Sequence, residues 1–221
     1  MSKKLIVAID GPSGAGKGTI ARAVASELGY RHIDSGAMYR AVGWSALRNG
    51  IDLADEAAVR TLAVQSVIAI DGPVVRIDGL DISRAIRTPE IDRAATAVAR
   101  LPLVREVLVD RQRALGAGGG IVMEGRDIGT VVFPRADVKI YLDASPEERA
   151  RRRAHDPAHS GPASVTDVAS ALLERDLSDR TRQVSPLYAA ADAHVIDTTA
   201  RPIPIVVQDV LNLIKRHLTT A

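Results

Sequence analysis

The segment Gly11-Pro12-Ser13-Gly14-Ala15-Gly16-Lys17-Gly18-Thr19 restricts what this chain can become more than any other feature. It follows the apolar run Leu5–Ile9 and precedes the helical pattern Ile20–Leu28. Glycines let consecutive backbone N–H groups turn inward with no side chain in the way, and a helix N-terminus adds a positive dipole end. Strand, glycine-rich turn, lysine and helix in this order make a phosphate cradle. Lys17 is placed to reach the β- and γ-phosphates of a nucleoside triphosphate. The general pattern has Ser or Thr directly after the lysine as a magnesium ligand. Here Gly18 holds that place and Thr19 follows. Mg2+ is therefore expected to arrive with ATP, held mainly by water and nucleotide oxygens, with no dedicated protein ligand set. The loop alone implies only that a nucleoside triphosphate binds, because GTPases, motors and kinases share it.

Five short apolar runs read as buried strands: Leu5–Ile9, Tyr30–Ile33, Ile121–Met123, Val138–Leu142 and His194–Ile196. Helical patterns separate them, which implies an α/β fold with a five-stranded parallel sheet and helices on both faces. Ligands in such folds gather at the carboxyl ends of the strands. Residues 65–83 break the rhythm. Val67–Ile70, Val74–Ile77 and Leu80–Ile82 are short β-like segments, punctuated by Asp71-Gly72-Pro73 and Asp78-Gly79. They read as an antiparallel meander, followed by helices through Glu90–Ala99 and Leu103–Leu115. The whole chain, 1–221, is expected to be one domain with this small β/α insertion nested in it. Gly116–Gly120 reads as a flexible connector. Ser145, Pro146 and Glu148 read as a capping box opening a helix. His155–Ser164 reads as a mobile surface loop, and Pro204–Leu218 as a helix packed on the sheet.

Composition removes several classes of function. The chain has no cysteine, which excludes disulfides, thiolate metal sites and cysteine nucleophiles. The apolar run after Met1-Ser2-Lys3-Lys4 stops at Asp10-Gly11-Pro12, so a signal peptide is not expected. No stretch is long and apolar enough to span a membrane. Net charge is +2, a poor basis for nucleic-acid binding. The basic residues are 24 Arg and 5 Lys. Arginine grips oxyanions in a bidentate way, so arginines at motif positions are the informative ones. A cytoplasmic monomer is expected.

Three clusters stand where ligands should lie. Asp34 to Arg40 ends the second strand, and Glu124 to Thr130 ends the third. Arg175, Asp179 and Arg182 fall on one face of a helix, where a solvated salt-bridge face is an equally good reading. A phosphate acceptor is already an oxyanion near neutral pH and needs no general base. It needs cations that bring two anions together, and arginines around a phosphate loop supply them. Arg149, Arg151, Arg152 and Arg153 add a basic segment just before the mobile loop, a short lid region over 149–165 that could close over ATP. Kinases acting on other monophosphates or metabolites stay open, as does a nucleotide-responsive binding protein without turnover.

The chain closely resembles the bacterial cytidylate kinase family along nearly its whole length. The resemblance rests on IDGPSGAGKGT at 9–19, IDSGAMYR at 33–40, IRTPEI at 86–91 and VREVLVDRQR at 104–113. It continues through EGRDIGTVVFP at 124–134, VKIYLDAS at 138–145 and RDLSDRTR at 175–182. It implies phosphoryl transfer from ATP to CMP or dCMP, with Lys17, Arg40 and Arg126 as catalytic residues. ATP would lie on Gly11–Thr19, and the acceptor phosphate would meet Arg40 and Arg126. Cytosine would be read near Ser35, Thr96, Arg105 and Asp127, where Thr96 stands in for an expected Ser. The sugar would meet Asp179, its carboxylate held by Arg175 and Arg182. The insertion, about 62–100, would be the enlarged monophosphate-binding region.

Overall fold

Alternation along the strands decides which way each side chain faces. In β1 (Ile6–Asp10), Val7 and Ile9 join one apolar cluster and Ala8 joins another. The computed structural model describes residues 4–156 and 164–220. The expected loop at 155–164 and lid region at 149–165 therefore lie partly outside the described residues.

The order from the N-terminus is β1, α1 (Lys17–Leu28), β2 (Arg31–Asp34), α2 (Ser35–Arg48) and α3 (Glu56–Gln65). The insertion comes next, with β3 (Ile68–Asp71), β4 (Val74–Ile77), β5 (Leu80–Asp81) and α4 (Pro89–Val98). Then come α5 (Pro102–Gly116), β6 (Ile121–Gly125), a π turn at Ile128–Val132, β7 (Val138–Asp143) and α6 (Pro146–Ala154). α7 (Val165–Thr181), β8 (His194–Asp197) and α8 (Ile203–Thr220) complete it.

The main sheet has five parallel strands in the order β2-β6-β1-β7-β8. The meander is a separate antiparallel sheet, β3-β4-β5. One face of the main sheet buries Val7, Ile9, Val122, Ile140 and Leu142 with Ile20 and Val24 of α1 and Val206, Val210 and Ile214 of α8. The other buries Ala8, Ile33, Ile121 and Met123 with Val109 of α5 and Ile128 and Val132 of the π turn. β1 is central, and it runs directly into the phosphate loop.

The insertion packs on α2 through its own cluster, in which Ala37, Ala41, Val75, Ile77 and Ile82 are buried and Trp44 is half-buried. The Arg48 guanidinium lies 5.1 Å from the Trp44 ring centre. No described helix is long and apolar enough to cross a membrane.

Two local expectations need correction. In the stretch Gly116–Gly120, Gly116 ends α5 and the residues after it form a fitted turn, not a loose connector. Gly119 has φ +63°, and a Cβ there would stand 2.2 Å from the Lys4 carbonyl oxygen. Gly120 donates its N–H to the Leu5 carbonyl at 2.8 Å, which starts the β1–β6 pairing. At α6, Ser145 caps as expected, accepting the Glu148 N–H at 3.2 Å. The Glu148 carboxylate does not close the reciprocal box: it accepts bonds from Arg151 and Arg152, and the Ser145 N–H donates to the Thr199 hydroxyl at 2.8 Å instead.

Candidate active site

The phosphate loop is shaped by what cannot fit. Gly11 has φ +147°, and a Cβ there would lie 2.0 Å from the Leu142 carbonyl oxygen. Gly16, at φ +89°, turns the chain into α1. Lys17 is buried and donates from Nζ to the Pro12 carbonyl at 2.6 Å, spanning the loop. Burial, then the nearby Arg126 charge, pushes the Lys17 amine well below its ordinary value, while Glu124 opposes the shift. A cation under this strain is stabilised by arriving phosphates.

Position 18 has a structural reason to be glycine. A Cβ there would stand 3.2 Å from Glu124 Oε1 at the end of β6. The Glu124 carboxylate takes up the space that a hydroxyl side chain would use, and His32 Nε2 holds it at 2.9 Å. Among the described residues no group of three or more metal-ligating side chains forms a cage.

The four arginines of α6 take separate tasks that spacing could not assign. Arg149 is buried and donates to Ser13 and Ala144 carbonyls and to Asp176, bracing the loop. Arg152 binds Thr198, whose hydroxyl in turn reaches the Ala15 carbonyl at 3.1 Å. Arg151 faces solvent with Glu148. Arg153 crosses to Asp92 of α4.

A cleft of about 1230 Å³ runs along the carboxyl ends of the strands. Ser13–Thr19, Asp34, Arg40, Glu124, Arg126 and Arg175 all border it. Asp92 gathers three guanidinium groups beside it, Arg40 at 3.1 Å, Arg175 at 3.2 Å, and Arg153. Asp34 caps α2 through the Ala37 N–H. Burial raises the Asp34 carboxyl, but Arg40 and Arg87 outweigh it and hold it below the ordinary range. Burial, with Arg126 and Arg40 beside it, lowers Arg175 to about 10. These crowded cations favour an anionic ligand.

Of the residues assigned to base and sugar, Arg175 borders this cleft, while Ser35, Thr96, Arg105, Asp127, Asp179 and Arg182 are not on its wall. Ser35 donates its hydroxyl to the Glu124 carbonyl at 2.6 Å. Arg105 is buried, stacks 5.4 Å from the Tyr39 ring centre and pairs with Asp127. Arg182 lies 3.6 Å from the other Asp127 oxygen. Thr96 turns its hydroxyl to the Asp92 carbonyl at 2.9 Å, one turn back in its own helix. Arg105 Nε, Arg175 Nε and Arg182 Nη2 are buried without a hydrogen-bond partner. Unpaired buried donors are costly, and acceptors on a ligand would satisfy them.

The expected grip on Asp179 differs in detail. Asp179 is buried, which excludes a solvated face. Its carboxylate accepts from Arg126 Nε at 2.9 Å and lies 3.9 Å from Arg182. Arg175 makes its ion pair with Asp92, while its charge, after that of Arg126, still helps to hold the Asp179 carboxyl below its ordinary value despite burial. Sequence reasoning missed Asp92, which sits in the first turn of α4, where an acid reads as an ordinary helix-start residue. It also passed over Asp10, although the carboxyl-end rule covers the last residue of β1.

Fold and site define an ATP-handling phosphotransferase of the P-loop kinase class. In overall shape the chain matches shikimate kinase from Bacteroides thetaiotaomicron with a TM-score of 0.53, at 12% identity, over 96% of this chain and 98% of that one. The Cytidylate kinase family profile matches residues 7–216. A cytidylate kinase from Pelotomaculum thermopropionicum is 49% identical over 91% of this chain and 92% of its own length. One from Solibacter usitatus is 46% identical over 98% and 95%. This chain belongs to the cytidylate kinase family.

Proposed function

We propose that this protein transfers the γ-phosphoryl group of ATP to CMP or dCMP, giving ADP and CDP or dCDP. Family membership supports the acceptor. The observation that carries the chemistry is the charge pattern of the cleft. Lys17, Arg40, Arg126 and Arg175 border it, while three carboxylates that border it are engaged in ion pairs: Asp34 with Arg87, Glu124 with His32 and Glu148 with Arg151 and Arg152. That arrangement suits an acceptor that is itself an oxyanion and needs alignment more than deprotonation.

ATP lies on Gly11–Thr19, and Lys17 follows the charge that develops on the transferring group. Arg40 and Arg126 bring the acceptor phosphate into line, with Arg175 behind them. Ser35, Arg105 and Asp127 read the cytosine edge, and Thr96 contributes a hydroxyl from the insertion. Cytosine presents an amino donor where uracil presents a carbonyl, so an acid at that point favours cytosine. A mismatched buried polar pair costs roughly 1–3 kcal/mol. Asp179 accepts from a sugar hydroxyl, with Arg182 beside it. Mg2+ bound with ATP would supply charge neutralisation, and Glu124 is the carboxylate of the cleft that would hold it, through water. The protein works as a cytoplasmic monomer.

An ADP-release assay across nucleoside monophosphates with Mg-ATP tests the reading. CMP and dCMP should exceed AMP and GMP by at least about 10²-fold. Equal rates with AMP and CMP would remove the acceptor assignment and leave the kinase class standing.

A further inference from the structure

We propose that Asp10 is a positioning residue, which fastens the backbone of the acceptor loop to the strand that carries the phosphate loop. Asp10 is the last residue of β1, immediately before Gly11. One carboxylate oxygen accepts the Ile128 N–H at 2.8 Å, and the other accepts the Gly129 N–H at 2.7 Å. The carboxylate is buried, and the two amides open the π turn directly after Arg126 and Asp127. Bonds from both oxygens to adjacent amides fix the loop in position and in direction. The acceptor side depends on that placement: Arg126 meets Asp179, and Asp127 meets Arg105 and Arg182. One carboxylate thus sets the distance between the donor loop and the acceptor contacts.

The choice of a charged residue here is informative. Burial pushes the Asp10 carboxyl up to about 6, and Asp127 adds to this, while the two amide bonds and Lys17 oppose it. A role in packing alone would be met by an uncharged residue at less cost to the fold. Asparagine offers one acceptor oxygen and would set its NH2 against one of the two N–H groups. The loop would then tilt about the remaining bond, and misplacement by about 1 Å is worth about 10²-fold in rate.

The inference rests on Arg126 and Asp127 belonging to the acceptor site, so Asp10→Asn and Arg126→Lys are to be assayed together. Asp10→Asn should lower kcat/KM for CMP by about 10²-fold while KM for ATP stays within about twofold. Parental CMP kinetics in Asp10→Asn overturn the inference if Arg126→Lys is damaged. If Arg126→Lys is itself unaffected, the acceptor assignment falls first. An equal rise in KM for ATP also overturns it, because the effect is then general. Should Asp10→Asn fail to fold, hydrogen exchange in the parent decides. The Ile128 and Gly129 amides should exchange slowly without ligand and change little on adding CMP. Fast exchange that CMP alone slows would mean that substrate, not Asp10, orders the loop.

Discussion

The phosphate loop takes its anion site from nine consecutive residues and from main-chain geometry, with glycines at positions where a Cβ would strike the Leu142 backbone or crowd the Glu124 carboxylate. The acceptor side is assembled from side chains on α2, α4, α5 and α7 and the loop after β6, held by ion pairs among them, with Arg105 Nε, Arg175 Nε and Arg182 Nη2 left without a hydrogen-bond partner. The first is rigid because the backbone has few alternatives there. The second holds its shape because opposite charges are buried together, and breaking one pair leaves a partner charge exposed to low dielectric. Damage to the loop should therefore be severe and local, whereas damage to the network should spread to several substrate contacts at once.

The largest expected effect separates the two most simply. Lys17→Ala should cost about 10³-fold in kcat with the fold intact, since it removes a preorganised charge from the transferring group. Near-parental turnover of a folded variant would mean that the loop does not bind ATP as described. Arg126→Lys keeps the charge but loses the fork that grips Asp179 and a phosphate together, so kcat/KM for CMP should fall by about 10²-fold. Unchanged kcat and KM would show that this arginine is only structural.

Asp179→Ala probes the network itself. It should reduce kcat/KM by about tenfold for the acceptor with little change for ATP, the scale of one charged hydrogen bond. CMP suffering more than dCMP would place the contact at the 2′-hydroxyl. Equal loss with both, and poor turnover of dideoxy-CMP by the parent, would place it at the 3′-hydroxyl. Parental kinetics with all three would remove Asp179 from the sugar site.

Acidity sharpens the comparison in stability terms. The Asp10 carboxyl sits at about 6 against an ordinary 3.8, so the native state takes up this proton first. As pH falls through 6 the penalty for burying its charge is relieved, and this group's contribution to stability rises. Parent should gain about 1.4 kcal/mol relative to Asp10→Asn between pH 7.5 and pH 5, measured by denaturant unfolding. Parallel curves would show that Asp10 does not carry this buried charge. Asp179 and Asp34, whose carboxyls are held low despite burial, act oppositely and only at lower pH, as they protonate. The smallest effect belongs to Arg151→Ala, which removes an exposed partner of Glu148 and should leave turnover within about twofold. A large loss would mean that Arg151 reaches phosphate during turnover.

Legibility in the sequence divides along the same line. The donor site is readable from spacing because strand, glycines, lysine and helix are contiguous, and all five core strands fall within a residue or two of their apolar runs. The meander is visible from its Asp-Gly turns. The acceptor residues are reached through motif resemblance, but their pairing is not legible. Helical spacing places Arg175 near Asp179, while Asp92, 83 positions away along the chain, claims it in the fold. Gly116–Gly120 looks loose in sequence because composition does not reveal that Lys4 packs against it.

Trp44 is the sole tryptophan of the chain, and it lies where α2 of the core meets the antiparallel insertion. Intrinsic emission excited at the red edge of protein absorption therefore comes from that joint alone. The Arg48 cation resting on the indole makes the emission sensitive to small changes in spacing there. Arg40, one turn earlier on the same helix, touches Asp92 on α4. The molecule thus carries its own optical gauge of whether the insertion shifts against the core when an acceptor is added, with no label attached.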